Sequence, residues 1–351
     1  MSSFLASRHS QLKPYVPGEQ PKLKNYIKLN ANENPFPPSP KVTAAVEAAA
    51  KTLNMYPDAN YTALREVLAK YNGFDAANII CGNGSDDILN LAFMAFADEN
   101  CPAVFPDITY SFYKVFCELH HIPYREIPVN ADFSINVEDY CNVGGTVFIA
   151  NPNAPSCLSL TTDDIEKIVS SNKGHVVVID EAYVDFGKGT CAGLIKKYDN
   201  LVVSRTLSKS FSLAGSRLGY GIASETLIGD MNTIRNSLNP YNVNSMTVAA
   251  GIAAIEDAEY MRKNCAEIKA TRDWTRDELL KLGFVAAPTD TNFVFATHPK
   301  YEATWISNQL RERGVFVRHF SANRINAYLR ISTGTKEQME VMVNALKEIL
   351  K

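Results

Sequence analysis

The sequence lacks the features that mark several common functional classes. No apolar run approaches the roughly 20 residues that a membrane-spanning helix needs. The longest, Leu91–Ala97 and Val176–Ile179, are far shorter. Positive charge is not in excess, since 35 Lys and Arg stand against 38 Asp and Glu for a net charge of −3. A near-neutral chain without a basic stripe is poorly suited to a phosphate backbone, which argues against nucleic acid as a partner. The six histidines include no His-x-x-x-His pair, so no metal is expected. The cysteines, at 81, 101, 117, 141, 157, 191 and 265, are odd in number and contain no Cys-x-x-Cys. They read as buried packing residues rather than as disulfides or metal ligands. The opening Met1-Ser2-Ser3-Phe4 lacks the charged-then-apolar pattern of a secretory leader. Composition is that of an ordinary globular protein, 46% hydrophobic and 21% charged. The 351 residues suggest about two domains. A cytoplasmic two-domain protein is the reading that remains.

Three segments are expected. Residues 1–35 read as an N-terminal arm, because prolines at 14, 17, 21 and 35 block regular helix and no hydrophobic period runs through. Ser39 then offers an N-cap with Pro40 at the first helical position, and a second helix is predicted from Tyr61. From about residue 78, short runs rich in β-branched residues alternate with amphipathic stretches. The runs are Ile79–Cys81, Ala103–Phe105, Thr146–Ile149, Val176–Ile179 and Leu201–Val203, and helical patterns (Ile88–Ala97, Phe112–His121, Asp163–Ser170) separate them. Continuous apolar runs suit strands covered on both faces, the habit of parallel sheets. Residues 36–245 therefore read as a large α/β domain. After about residue 245 one long helical stretch runs from Ala249 toward Leu282. Strand-like Asn292–Ala296, Val315–Val317 and Tyr328–Ile331 follow, with a helix from Ala303 to Arg313 and a last one capped by Thr335. Residues 246–351 read as a smaller α+β domain.

In open α/β sheets ligands bind beyond the carboxyl ends of the strands. The first run ends in Gly82-Asn83-Gly84-Ser85-Asp86 and enters a helix, which makes a phosphate cradle or simply a capped turn. It is neither a dinucleotide fingerprint nor a Walker loop. Asp180 follows the fourth run, and Lys209 the fifth, with Thr206, Ser208 and Arg217 close by. Taken singly, each has a bland reading as a cap, an ion pair or a solvated charge. Together, a lysine, an acid and a set of anion donors are what pyridoxal phosphate requires: an amine for a Schiff base, a partner for the ring nitrogen, and a phosphate cradle.

Residues 208–220, Ser-Lys-Ser-Phe-Ser-Leu-Ala-Gly-Ser-Arg-Leu-Gly-Tyr, resemble the lysine loop of fold-type-I pyridoxal-phosphate-dependent aminotransferases. With Leu29–Pro35, Tyr56-Pro57-Asp58 and Leu329–Thr335, the chain is similar to the histidinol-phosphate aminotransferase branch of that family. The resemblance implies a large, mostly parallel-sheet α/β domain, a smaller α+β domain and an N-terminal arm. It implies pyridoxal 5'-phosphate as cofactor, amino-acid and oxo-acid substrates, and a homodimer with shared active sites. It also implies transamination of histidinol phosphate with 2-oxoglutarate. Aromatic amino-acid aminotransferases and amino-acid-phosphate decarboxylases share most of these motifs and stand as the alternatives.

The same resemblance implies residue roles. Lys209 would carry the cofactor, Asp180 would pair with its ring nitrogen, Tyr183 with its 3-hydroxyl, and Tyr110 would stack on the ring. Gly84, Ser85 and Asp86, with Thr206, Ser208 and Arg217, would hold the phosphate, and Tyr56 would reach it from the other subunit. Arg330 would bind the substrate anion, with Arg318, Tyr15 and Asn32 at the same subsite. One motif departs from the family pattern: Asn153-Ala154-Pro155-Ser156-Cys157 stands where Asn-Asn-Pro-Thr-Gly is usual. Asn153 is then the candidate for the oxygen contact, by a one-residue offset. Cys157 in the glycine position would need a conformation a Cβ tolerates.

Overall fold

The computed structural model describes residues 4–10, 12–14, 18–20 and 25–351. Its strands are β1 (Ile27–Leu29), β2 (Ile79–Gly82), β3 (Ala103–Pro106), β4 (Tyr124–Ile127), β5 (Thr146–Ala150) and β6 (Val177–Asp180). They continue with β7 (Leu201–Thr206), β8 (Gly219–Ala223), β9 (Val285–Ala286), β10 (Phe293–Thr297), β11 (Val315–His319) and β12 (Tyr328–Ser332).

Seven strands form one sheet in the order β2-β8-β7-β6-β5-β3-β4. Only β8 runs antiparallel to its neighbours. The absence of alternation in the central runs has a direct cause. Val147 and Ile149 of β5, Val177 and Ile179 of β6, and Leu201 and Val203 of β7 enter one apolar core, while Phe148, Val178 and Val202 enter a second on the other face. Successive side chains of a strand point to opposite faces, so a strand covered on both sides must be apolar throughout. Full burial of each such side chain is worth about 1.5–3 kcal/mol.

The second sheet has five strands in the order β1-β11-β12-β10-β9. Its core face carries Leu29, Val294, Ala296, Leu329 and Ile331 against Met339, Met342, Val343 and Leu346 of the final helix, Lys336–Ile349. Thr335 caps that helix as expected, in a reciprocal capping box with Gln338.

Two features differ from the sequence expectations. The segment read as an irregular arm contributes β1, which pairs in parallel with β11 and so joins the small sheet. The single long helix after residue 245 is two, Ser245–Glu256 and Ala258–Lys281, broken at Asp257. No Gly or Pro marks the break. The first helix lies against Pro40–Ala50, where Lys41 Nζ meets Asp257 Oδ1 at 2.8 Å, while the second reaches the small-sheet core through Leu279.

Candidate active site

Because β5, β6 and β7 run parallel, their carboxyl ends fall on one edge of the sheet, and the residues just beyond them converge. Ser85, Asp86, Tyr110, Ala154, Asp180, Tyr183, Thr206, Ser208, Lys209 and Arg217 line one cleft. A concave site with convergent polar groups suits a small-molecule ligand.

Asp180 ends β6 and is 4% exposed. Its Oδ1 accepts from the Ala182 backbone N–H at 3.2 Å and its Oδ2 from the Tyr113 hydroxyl at 3.3 Å. Burial, opposed by the Ala182 hydrogen bond, pushes its carboxyl from the ordinary 3.8 up to about 7. The folded state without a cationic partner therefore keeps this proton to higher pH than the unfolded chain does. Cofactor-free protein is expected to lose stability as pH rises from about 4 to about 7, by up to roughly 4 kcal/mol. Asp180→Asn should flatten that part of the profile, read as denaturant midpoints measured against pH. An unchanged slope in the variant would refute the assignment.

Lys209 sits on the loop after β7, and its Nζ donates to the Ala31 carbonyl at 3.3 Å. Burial, then the charge of Arg330, lowers its ammonium from 10.5 to about 8. Roughly a tenth of the amine is thus unprotonated at pH 7, far more than for an ordinary lysine, and a nucleophile or base requires the free amine. The side chain of Asn34 fastens this loop by donating to the carbonyls of Lys209 and Ser210, both at 3.0 Å.

The cradle forms where β2 passes into the helix Ser85–Phe96. The N-cap is Gly84 at φ 86°, so neither Ser85 nor Asp86 caps it. A Cβ at Gly84 would lie 2.5 Å from Arg217 Nη2, and one at Gly219 would lie 2.3 Å from the Gly84–Ser85 backbone. Two glycines thus let three chain segments close around the first N–H groups of a helix, an arrangement suited to an anion. Arg217 bonds Asp86 Oδ2 at 2.9 Å, and Tyr110 donates to Asp86 Oδ1 at 2.7 Å. Thr206 and Ser208 are joined through their hydroxyls at 2.9 Å. The donor set of this cleft (a depressed lysine, a buried acid and a glycine-lined cradle) fits pyridoxal phosphate.

Some expected residues lie elsewhere. Asn153 does not line the cleft, and its expected oxygen contact is corrected. Its Nδ2 donates to Ile108 O and Ser156 Oγ, and its Oδ1 accepts from Thr109, so the carboxamide is fully engaged in its own loop. Ala154 presents only a methyl group to the cleft. Cys157 does not take a conformation that suits a Cβ: it keeps the left-handed backbone that favours glycine, at φ 70°, with its side chain buried. Asn32 is not open to a substrate, because its carboxamide bonds Tyr183 and Ser332. Arg330 lies on the face of β12 opposite Leu329 and Ile331, directly across from Arg318 in the register. Its Nη2 donates to Asn30 O at 3.1 Å, and its guanidinium lies 5.4 Å from the Phe293 ring centre. Tyr56 is 81% exposed and stacks on Tyr241 at 4.6 Å. Tyr15 lies outside the described residues.

Sequence reasoning missed Asn34 and Tyr113 as contributors. Asn34 stood within a recognised motif, but nothing local showed what it touches. Tyr113 read only as part of an amphipathic helix.

Comparison with known proteins agrees with this geometry. The family description aminotransferase class I and II matches residues 24–346. The chain belongs to this family. A histidinol-phosphate aminotransferase of Acinetobacter baumannii is 46% identical over 349 residues, covering 98% of this chain and 97% of that one. One from Clostridium botulinum is 45% identical over 351 residues, covering 100% and 99%. Among solved structures, the histidinol-phosphate aminotransferase of Sinorhizobium meliloti in complex with pyridoxal-5'-phosphate superposes with a TM-score of 0.85 at 25% identity, covering 92% of this chain and 90% of that one. The mostly parallel large sheet, with its functional side chains at the strand ends, is thus the scaffold of an aminotransferase.

Proposed function

We propose that this aminotransferase uses pyridoxal 5'-phosphate to move an amino group between histidinol phosphate and 2-oxoglutarate, the step that makes it an enzyme of histidine biosynthesis. The observation that carries the reading is near-full-length identity of about 45% to proteins bearing that name. The paired arginines Arg318 and Arg330 support it, because both substrates present anions.

When bound, pyridoxal phosphate supplies a ring that spreads the negative charge left on a substrate carbon after proton loss. The residues of this chain supply the rest. Lys209, partly unprotonated near neutrality, would attach the cofactor and, once freed, would take the proton from the substrate carbon and deliver it to the cofactor carbon that bears the nitrogen. The carboxylate of Asp180 balances a protonated ring nitrogen, and that partner offsets the burial that now raises its pKa. Tyr183 would meet the ring oxygen and Tyr110 would cover the ring. The backbone of Gly84–Asp86 with Thr206, Ser208 and Arg217 holds the phosphate, and Arg330, assisted by Arg318, grips the substrate anion. The domain boundaries are proposed at residues 36–245 and 246–351, with β1 of the N-terminal segment joining the smaller domain, and the enzyme is proposed to act in the cytoplasm. Among the described residues no helix is long and apolar enough to cross a membrane.

The substrate reading is tested by half-reactions followed through the cofactor absorbance. Histidinol phosphate should convert the cofactor far faster than unphosphorylated histidinol. Equal rates for the two would overturn the reading, as would a strong preference for phenylalanine or tyrosine. Release of carbon dioxide would indicate the decarboxylase instead.

The homodimer is part of this proposal. Leu53, Met55, Tyr56, Leu238 and Tyr241 are all large, apolar and exposed. They continue toward the cradle, since Asn242 beside Tyr241 bonds Asp87 in the first turn of its helix. A second copy covering this ridge would bring Tyr56 to the partner's phosphate site. Mixing inactive Tyr56→Ala and Lys209→Ala subunits should then restore activity through dimers holding one intact site. No recovery in a mixture shown to exchange subunits would place Tyr56 outside the partner's site.

A further inference from the structure

The segment Asn30–Asn34 lies between the two sheets, and Asn32 is its most tightly held member. Asn32 is 1% exposed and takes φ 55°, a conformation asparagine tolerates better than most residues. Its backbone N–H donates to Ser332 Oγ at 2.8 Å, and its carbonyl accepts from Asn292 Nδ2 at 3.0 Å. The Ser332 hydroxyl donates to Asn32 Oδ1 at 3.0 Å, and Asn32 Nδ2 donates to the Tyr183 hydroxyl oxygen at 2.8 Å.

Hydrogen-bond accounting fixes the direction of every bond in this chain. Ser332 has one hydroxyl proton and is 2% exposed. Turning the Asn32 carboxamide over would leave that proton, among the described residues, without an acceptor, which burial penalises. Oδ1 therefore faces Ser332, and Nδ2 must face Tyr183. The Tyr183 oxygen thus receives a proton rather than giving one, and its own proton has no acceptor among the described residues. That proton is left for the cleft, which Tyr183 lines. Ala154, on the same wall, carries no polar side-chain atom.

We propose that Asn32 is a positioning residue that makes Tyr183 an obligatory hydrogen-bond donor into the cleft, toward the ring oxygen of pyridoxal phosphate. The inference rests on the cofactor reading above and not on which amine the enzyme uses. A chain of aligned bonds also polarises its members, so Asn32 strengthens the donor it orients. A proton given to the ring oxygen draws negative charge away from the neighbouring carbon–nitrogen bond to Lys209 and makes that nitrogen less basic. Asp180, Lys209, Arg330 and the Cys157 thiol surround the phenol, and all remain when Asn32 is changed without altering charge.

The test uses protein loaded with pyridoxal phosphate and no substrate, read by the pH midpoint of the cofactor absorbance change. Asn32→Gly keeps the left-handed backbone and the N–H to Ser332 while removing the carboxamide. Its midpoint should rise by about 0.5–1 pH unit, the equivalent of one neutral hydrogen bond. In a Tyr183→Phe background the same substitution should move the midpoint no further, because the proposed effect passes through the phenol. An unchanged midpoint in Asn32→Gly, or an equal shift with and without the Tyr183 hydroxyl, would overturn the proposal. Ser332→Ala, which frees the carboxamide to turn over, should shift the midpoint in the same direction by less, and it decides the matter if Asn32→Gly does not fold. Protein that takes up no pyridoxal phosphate would instead refute the cofactor reading.

Discussion

Lys209→Ala should lower the rate of amino transfer by at least about 10³- to 10⁴-fold while leaving the fold intact. The size of the loss follows from the two functions proposed for this one side chain, cofactor attachment and proton transfer. Among the described residues that line the cleft, Lys209 is the sole lysine. The fold should survive because the loop is fastened through its backbone. Asn34 bonds the carbonyls of residues 209 and 210, and the Leu207 N–H bonds the Leu218 carbonyl. Among the described residues the amine hydrogen-bonds Ala31 alone and lies 5.9 Å from the Tyr183 ring centre, and burial already disfavours its charge. Borohydride treatment of the parent protein should fix the cofactor on Lys209, identified by peptide mapping. Finding the adduct on another lysine would displace Lys209 from the centre of the site.

What the sequence disclosed, and what it concealed, follows from how far each signal is local. The central strands were legible because burial on both faces leaves uninterrupted apolar runs, as in Val177-Val178-Ile179. β4 was not, since Tyr124-Arg125-Glu126-Ile127 is an edge strand with solvent-facing polar residues. β8 was hidden by Gly219 and Gly221, which weaken any strand signature. Gly219 is nevertheless required there by the close passage of Gly84 and Ser85. Asp180, Lys209 and Arg217 could be picked out because they follow strands or sit in a recognisable loop. The contacts of Asn32 with Ser332 and of Asn34 with Lys209 span 300 and 175 positions in the chain, and no local pattern encodes them. Asn153 misled for a related reason. Its amide type suited the oxygen contact, but the loop needed that same amide to bridge Ile108, Thr109 and Ser156.

Arg330→Lys should reduce kcat/KM for both the phosphorylated amine and the oxo-acid by roughly 10- to 150-fold each, the loss of one charge-assisted hydrogen bond. The substitution keeps the positive charge, so the influence of residue 330 on the Lys209 amine and the Tyr183 phenol is retained in kind. What disappears is the planar fork, which matches phosphate and carboxylate oxygens two at a time. Stacking over Phe293 and Phe320 also weakens, and with it the orientation of the cation. Strand alternation puts Arg330 on the face away from the Leu329–Ile331 core, so the change leaves small-domain packing untouched. Both half-reactions should suffer together, since the proposal has a single subsite serve the anions of both substrates in turn. The absorbance of the bound cofactor without substrate should stay that of the parent, because Arg330 does not line the cleft in which the cofactor is placed. A loss confined to one substrate would mean that Arg318 holds the other anion alone. Rates equal to the parent for both would remove Arg330 from the substrate site.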